Sequence, residues 1–306
     1  MNVRHFLTMP DLSKTEIERL LGRTEEWKRR PHSDLLHGKT VALIFGKPST
    51  RTRVSFSVGV HQLGGMPLYL SEKELQMRKS ESIEDTARVL SRYVDGVVIR
   101  TFAQKDVEEL AANASVPVIN ALTDDDHPCQ ALTDVFTLRE HFGDTSGRKI
   151  VYLGDGNNVA ASLAEAGALV GMDVCLSVPE GCDLPLGKTA TIKALADAQG
   201  IRFWVERDPA AAANGASALY TDVWISMGQQ QDAGKVSSLR PYQLNAELLA
   251  KARPDAVVLH CLPAHRGEEI TDEVMDGPQS LVFDQAENRL HAQKALMAYL
   301  IGGEPL

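Results

Sequence analysis

The chain lacks the features that would place it in a membrane, outside the cell or on a nucleic acid. No apolar run approaches the roughly 20 residues a membrane-spanning helix needs. The opening Met1-Asn2-Val3-Arg4-His5 carries no apolar signal core. Four cysteines (Cys129, Cys175, Cys182 and Cys261) include no Cys-x-x-Cys pair, so reduced thiols in a cytoplasm are expected. Basic residues are the minority: 32 Lys and Arg against 41 Asp and Glu leave a formal charge of -9. That balance, with a pI near 5.5, argues against the basic face that non-specific nucleic-acid binding requires. No internal repeat and no low-complexity tract is visible. What is present is an ordinary globular composition, 306 residues with 43% hydrophobic and 24% charged, enough for one large or two domains. Local basic clusters inside an acidic chain point to a small anionic ligand.

The strongest such cluster is Ser49-Thr50-Arg51-Thr52-Arg53. It directly follows the apolar run 40–45 and opens a segment, 54–63, that reads as a helix ending at Gly64-Gly65. A helix start offers backbone N–H groups without intrahelical partners and the positive end of the dipole. Hydroxyls and guanidiniums added there would hold a phosphate-like dianion. The competing reading is an N-cap with two solvated arginines, but arginine in a first turn opposes the dipole.

Along the chain, Ser13-Lys-Thr-Glu16 forms a capping box before Ile17, Leu20, Leu21 and Trp27, which predicts an amphipathic first helix. Short apolar runs then alternate with helical patterns. Strands are expected at 41–45, 68–70, 96–99 and 116–119, with helices near 52–63, 83–93, 105–113 and 128–141. The turn-rich stretch 142–148 is the expected boundary. A second alternation follows, with strands at 150–153, 173–177, 202–205, 218–220 and 256–260, helices such as 159–170 and 189–198 between them, and a last helix at 285–301. The fold class expected is α/β, two doubly wound parallel-sheet domains with helices on both faces. Ligands of such sheets sit beyond the carboxyl ends of the strands, where the candidate motifs fall.

Arg100 ends the run 96–99 and is either a solvated strand terminus or a second phosphate ligand. His127-Pro128-Cys129-Gln130 starts a helix, with Pro128 suited to its first position; His127 and Gln130 either bond a carbonyl or amide together, or His127 is only a cap. The string Gly154-Asp-Gly156-Asn-Asn158 invites a dinucleotide reading, but the third glycine is missing and asparagines stand where the pyrophosphate would approach. An asparagine-lined strand end for a polar small molecule fits better. Asp222-Val-Trp-Ile-Ser226-Met227-Gly228 either holds the ammonium and carboxylate of an amino acid or is an Asx-type turn. In His260-Cys261-Leu262-Pro263-Ala264-His265-Arg266, a cysteine flanked by His and Arg has surroundings that favour a reactive thiol. Cys175, inside a strand, is expected to be inert, and the spacing lacks the pattern of a zinc site. Arg289, early in the last helix, is either a third guanidinium of the site or a surface charge.

Taken in order, these strings resemble the ornithine branch of the aspartate/ornithine carbamoyltransferase family, from the first helix to the last. Ser-Thr-Arg-Thr-Arg with His-Pro-x-Gln marks the wider family; Asp-x-x-x-Ser-Met-Gly and His-Cys-Leu-Pro mark the branch. The resemblance implies a carbamoyl-phosphate domain over 1–142 plus the final helix 285–306, which packs back on it, and an ornithine domain over 143–284. It implies that Ser49, Thr50, Arg51, Thr52 and Arg100 grip phosphate, and that His127, Gln130 and Arg289 address the carbamoyl group. Gln76 would be donated from a loop, here Gln76-Met-Arg-Lys-Ser80 where relatives commonly carry glycine. Asn158, Asp222, Ser226 and Met227 would bind ornithine, with Cys261 and Leu262 beside both substrates. Cys261, Asp222, His127, Arg51 and Arg289 would carry the chemistry. A cytoplasmic homotrimer, or a multiple of trimers, with shared active sites is implied, and no metal or organic cofactor is called for. The alternatives are a carbamoyltransferase for another amine acceptor, such as putrescine or an N-acylated ornithine, and a nicotinamide-dependent dehydrogenase using 154–160.

Overall fold

A computed structural model describes residues 3–77, 80–225 and 232–306. The chain divides into two compact units, Met1–Phe136 with Glu287–Leu306, and Thr137–Ala286. Each is built on its own all-parallel sheet.

In the first unit the strands are β1 (Thr40–Phe45), β2 (Met66–Ser71), β3 (Gly96–Arg100) and β4 (Val118–Leu122), in the order β2-β1-β3-β4. In the second they are β5 (Lys149–Leu153), β6 (Asp173–Ser177), β7 (Phe203–Val205), β8 (Ala218–Thr221) and β9 (Val257–His260), in the order β7-β6-β5-β8-β9. Residues 41–45 of β1 and the whole of β3 are buried, as apolar parallel strands covered on both faces must be. In each sheet the chain first moves outward to one side and then returns to the other. The reversals lie between β1 and β3 and between β5 and β8, and a crevice for ligands opens at the carboxyl ends of such strand pairs.

Local chemistry explains most element boundaries. Ser13 Oγ accepts from the Glu16 N–H, and the Glu16 carboxylate accepts from the Ser13 N–H, so the helix Lys14–Arg29 starts on the expected capping box. Strand β4 starts two residues later than residues 116–119 suggest and extends to Leu122, because Pro117 has no N–H to give a ladder. The helix expected at 83–93 stops at Leu90, where the Ser91 hydroxyl bonds back to the Ala87 carbonyl. Four short helices, Pro209–Ala213, Ala233–Leu239, Ala246–Leu249 and Asp272–Met275, were not legible in the pattern; four to seven residues carry too little periodicity to register.

The final helix, Val282–Leu300, enters the first unit at Glu287. There Lys294 Nζ donates to the carbonyls of Trp27 and Pro31 and to Gln62 Oε1. Its Met297 and Lys294 side chains lie so close to Gly59 that a Cβ there would sit 3.0 and 3.2 Å from them. This helix therefore packs on the helix Thr50–Gln62, as expected for the C-terminal segment.

Candidate active site

At the β1/β3 reversal the helix Thr50–Gln62 begins with Ser49 as its N-cap, the hydroxyl accepting from the Thr52 N–H at 3.3 Å. Thr52 is fully buried, and its hydroxyl accepts from Arg289 Nη2 at 2.8 Å. Arg51 is half-buried in the first turn, and Thr50 is exposed. Arg100 ends β3 at an irregularity in its pairing with β4 and is only 7% exposed, so it is no solvated strand terminus. His127, directly before the helix Pro128–Phe142, is buried. Burial pushes its pKa well below the usual imidazole value, and the cations Arg289, Arg100 and Lys47 push it further. These cations disfavour a further positive charge beside them, so the ring is neutral, a donor or acceptor rather than a cation. Gln130 Nε2 donates to Asp134 at 2.8 Å, while its buried Oε1 has no hydrogen-bond partner among the described residues. Positive charge, hydroxyls and a neutral imidazole around a helix start make a cradle for a small dianion with a polar substituent.

At the β5/β8 reversal a second cluster forms. Asp222, just beyond β8, is nearly buried; its Oδ1 accepts from the Val223 N–H at 2.8 Å and from the Cys261 thiol at 2.9 Å. Its Oδ2 accepts from Asn157 Nδ2 at 2.8 Å. Asn157 is at once the N-cap of the helix Asn158–Leu169 and the acceptor of the buried Tyr152 hydroxyl at 3.2 Å. Burial and the neighbouring Asp222, Asp155 and Cys261 hold that phenol far above its usual pKa, so it remains a donor. Beyond β9, Leu262 takes φ 58°, a left-handed value that a branched side chain adopts only when held there. The holder is His260: its Nδ1 accepts from the Leu262 N–H at 2.8 Å, which leaves Nε2 to donate to Glu269 Oε1 at 3.0 Å. Both side chains of this pair are fully buried. Among the described residues two groupings have metal-ligand composition, Asp222–His260–Cys261 and His265–Glu268–Glu269; in the first, both His260 nitrogens are already engaged.

Comparison with known proteins adds the family. Residues 4–140 match the model of the aspartate/ornithine carbamoyltransferase carbamoyl-P binding domain, and 146–300 match its Asp/Orn binding domain. The chain belongs to the aspartate/ornithine carbamoyltransferase family. It is 52% identical to the ornithine carbamoyltransferase of Thermococcus kodakarensis over 98% of this chain and 97% of the relative. The solved ornithine carbamoyltransferase of Pyrococcus furiosus superposes with a TM-score of 0.95 at 49% identity, covering 99% of this chain and 98% of that one. The Gloeobacter violaceus enzyme gives 0.89 at 48%, covering 97% and 98%.

Within this carbamoyltransferase several expectations need correction. In the string 154–160, read above as an asparagine-lined strand end rather than a dinucleotide loop, a Cβ on Gly156 would sit 2.4 Å from the Cys182 carbonyl oxygen. That glycine serves close approach of the backbone at 182–184, and Asn157 is spent on capping and on Asp222. The surroundings expected of Cys261 also differ. Arg266 pairs with Asp272 and Asp276, and His260 faces Glu269, so the thiol's partner is a carboxylate. Arg53 leaves the helix start and stacks its guanidinium 3.6 Å from the centre of the Tyr69 ring. Gln76 is exposed, and its Oε1 accepts from Ser80 at 2.9 Å; Ser226 and Met227 lie outside the described residues. Leu262 follows β9 in the next loop, and Asn158, beyond β5, is the first residue of its helix. Cys175 is inert as expected, its thiol pushed up to about 12 by burial.

Sequence reasoning missed three contributors. Lys47 is buried, ion-paired to Asp124, and lies 4.6 Å from the centre of the Phe102 ring; its signal was a lysine between an apolar strand and Ser49. Asn157 holds Asp222. Glu269 gave no local signal, because its partner lies nine residues back across a turn.

Proposed function

We propose that the chain transfers the carbamoyl group of carbamoyl phosphate to the δ-amine of L-ornithine, giving L-citrulline and phosphate. The observation that carries this reading is the gathering of Arg289, Arg100 and Lys47 around the neutral, buried His127. A dianionic acyl phosphate bearing an uncharged carbamoyl group fits such a field, whereas a cationic or apolar ligand does not.

In this reading Ser49, Thr50, Arg51, Thr52 and Arg100 hold the phosphate, and His127, Gln130 and Arg289 the carbamoyl group. Gln130 contributes its open Oε1 as an acceptor for the carbamoyl NH2. Asn158, Asp222, Ser226 and Met227 hold ornithine, with Cys261 and Leu262 beside both substrates. The free δ-ammonium has a pKa like that of lysine, about 10.4. At pH 7.4 the neutral amine is therefore scarce by about three units, or roughly 4 kcal/mol. Asp222 and Cys261, joined at 2.9 Å, are the pair that selects the neutral amine or takes its proton. The amine nitrogen bonds to the carbamoyl carbon, the carbonyl oxygen gains charge against His127, Arg289 and Thr52, and the carbon–oxygen bond to phosphate breaks. Arg51 and Arg100 stabilise the departing anion. Positioning and charge complementarity supply the catalysis, since the leaving group is already good.

The assembly in this reading is a cytoplasmic homotrimer or a multiple of trimers with shared active sites, and Gln76 serves its own or a neighbouring subunit. Apolar side chains left exposed on the edge strand β2 and the adjacent helix start support it: Met66 is 59%, Tyr69 37% and Val54 53% exposed. A relative from Pyrococcus furiosus is named an anabolic enzyme, which favours the citrulline-forming direction.

Purified protein given both substrates should release citrulline and phosphate, with putrescine and N-acetylornithine turned over far more slowly. Arg51→Gly should abolish turnover and leave the circular dichroism spectrum and Tm unchanged. A variant that kept its rate would remove the phosphate assignment.

A further inference from the structure

The last helix carries a second buried cation that the reaction does not use. Lys294 is 0% exposed. Its ammonium has three protons, and three oxygens receive them: the carbonyls of Trp27 and Pro31 at 3.1 Å each, and Gln62 Oε1 at 2.8 Å. Trp27 lies in the last turn of the helix Lys14–Arg29, and Gln62 is the last residue of the helix Thr50–Gln62. The ammonium thus sits at the carboxyl ends of two helices, where the dipoles favour a cation. Five residues earlier on the same helix, Arg289 bonds Thr52 at the opposite end of Thr50–Gln62. Between these two attachments Gly59 lets the helices approach, a Cβ there being 3.0 Å from Met297 Cε. The helix bearing the anion loop is therefore held by the final helix at both of its ends.

We infer that Lys294 is a positioning residue for carbamoyl-phosphate binding, its ammonium fixing the far end of the helix whose near end holds the phosphate. This rests on the carbamoyl-phosphate reading of that helix start. A helix of 13 residues is about 20 Å long and moves as a rod. Releasing its carboxyl end lets it tilt or slide, and displacement of the order of 1 Å at the loop is enough to weaken a preorganised anion site. The cost of burying the charge shows in the Lys294 pKa, lowered to about 8 by burial. At neutral pH the group is still mainly protonated, and with three acceptors on the ammonium the cradle is complete. An apolar side chain of similar length would avoid the burial cost, so stability alone does not explain a lysine here.

The test separates positioning from mere support. Lys294→Met keeps the length and removes the charge; Gln62→Met, at a half-buried position, cuts only the link to the helix Thr50–Gln62. In steady-state citrulline assays both should raise the carbamoyl-phosphate KM, about tenfold for Lys294→Met and threefold for Gln62→Met. The ornithine KM should stay within twofold, and the double variant should be no worse than Lys294→Met alone. A purely structural lysine would lower Tm and the apparent kcat and leave the carbamoyl-phosphate KM alone, which would overturn the inference. Should Lys294→Met fail to fold, an unchanged KM in Gln62→Met overturns it equally. Absence of citrulline with the unaltered protein would instead defeat the carbamoyltransferase reading itself.

Discussion

Cys261 shows how a residue's chemistry depends on which neighbours face it. Flanked in sequence by His260 and Arg266, the thiol nevertheless donates to Asp222, while both flanking side chains turn to other acids. Its part is to complete a carboxylate that Val223 and Asn157 also hold. A hydrogen bond to a charged group is worth about 1.5–3 kcal/mol. Cys261→Ala should therefore raise the ornithine KM at least about tenfold, whereas Cys261→Ser, which keeps a donor, should recover most of the loss. Equal defects in the two variants, measured at saturating carbamoyl phosphate, would show that the donor is irrelevant. His260 makes the same point from the other side. Its two nitrogens are fully used in holding Leu262 at φ 58° against Glu269, so it shapes the loop beside Cys261.

At the scale of elements, the two sheets put their candidate site residues near the strand ends where the chain reverses direction. The segment after β5 is the clearest case. Gly156 looks like part of a nucleotide fingerprint, yet the space a side chain would take is occupied by the backbone of Cys182, Asp183 and Leu184. Backbone does not yield as a flexible side chain does, so Gly156→Ala should lower stability by about 1–3 kcal/mol. Urea denaturation would measure this, and an unperturbed midpoint would show that the 182–184 segment shifts freely. A titration with a nicotinamide dinucleotide should give no binding. Helix Asn158–Leu169 shows a related economy: apart from Asn158 all its residues are buried, and its small alanines and glycine let the helix Leu186–Gln199 and strand β6 pack closely against it.

For the whole molecule the titration of buried groups sets the pH response. His5, His127 and His291 all have lowered pKa values, in each case first through burial. Below about pH 6.5 the unfolded chain takes protons that the folded one refuses, so stability falls with pH in that window. Lower still, Glu16, held at about 2 by Arg4, adds a contribution present above its ordinary value and lost as pH drops from about 4.5 to 2. Lys294 works at the opposite end: with its value lowered to about 8, its contribution to stability rises as pH climbs from about 8 toward 10.5. Urea midpoints should decline between pH 7.5 and 5.5, and His127→Gln should flatten part of that decline. A variant with the unaltered slope would mean that His127 does not titrate as a buried neutral ring.

The amino-acid order alone determined the alternation of strands and helices, the two parallel sheets and the helix start capped by Ser49, because these rest on periodicity, caps and turns within a few residues of one another. It also brought out Arg100, His127, Asp222 and Cys261 as candidate positions at strand ends or a helix start, and Arg289 within the last helix. Only the tertiary structure decided what each of them touches. Arg289 reaches Thr52 across 237 positions of sequence, Asp222 meets Asn157 across 65, and Lys294 ties together helices at opposite ends of the chain. Such contacts leave no local pattern, since a buried polar group needs only a partner of matching chemistry wherever the fold supplies one.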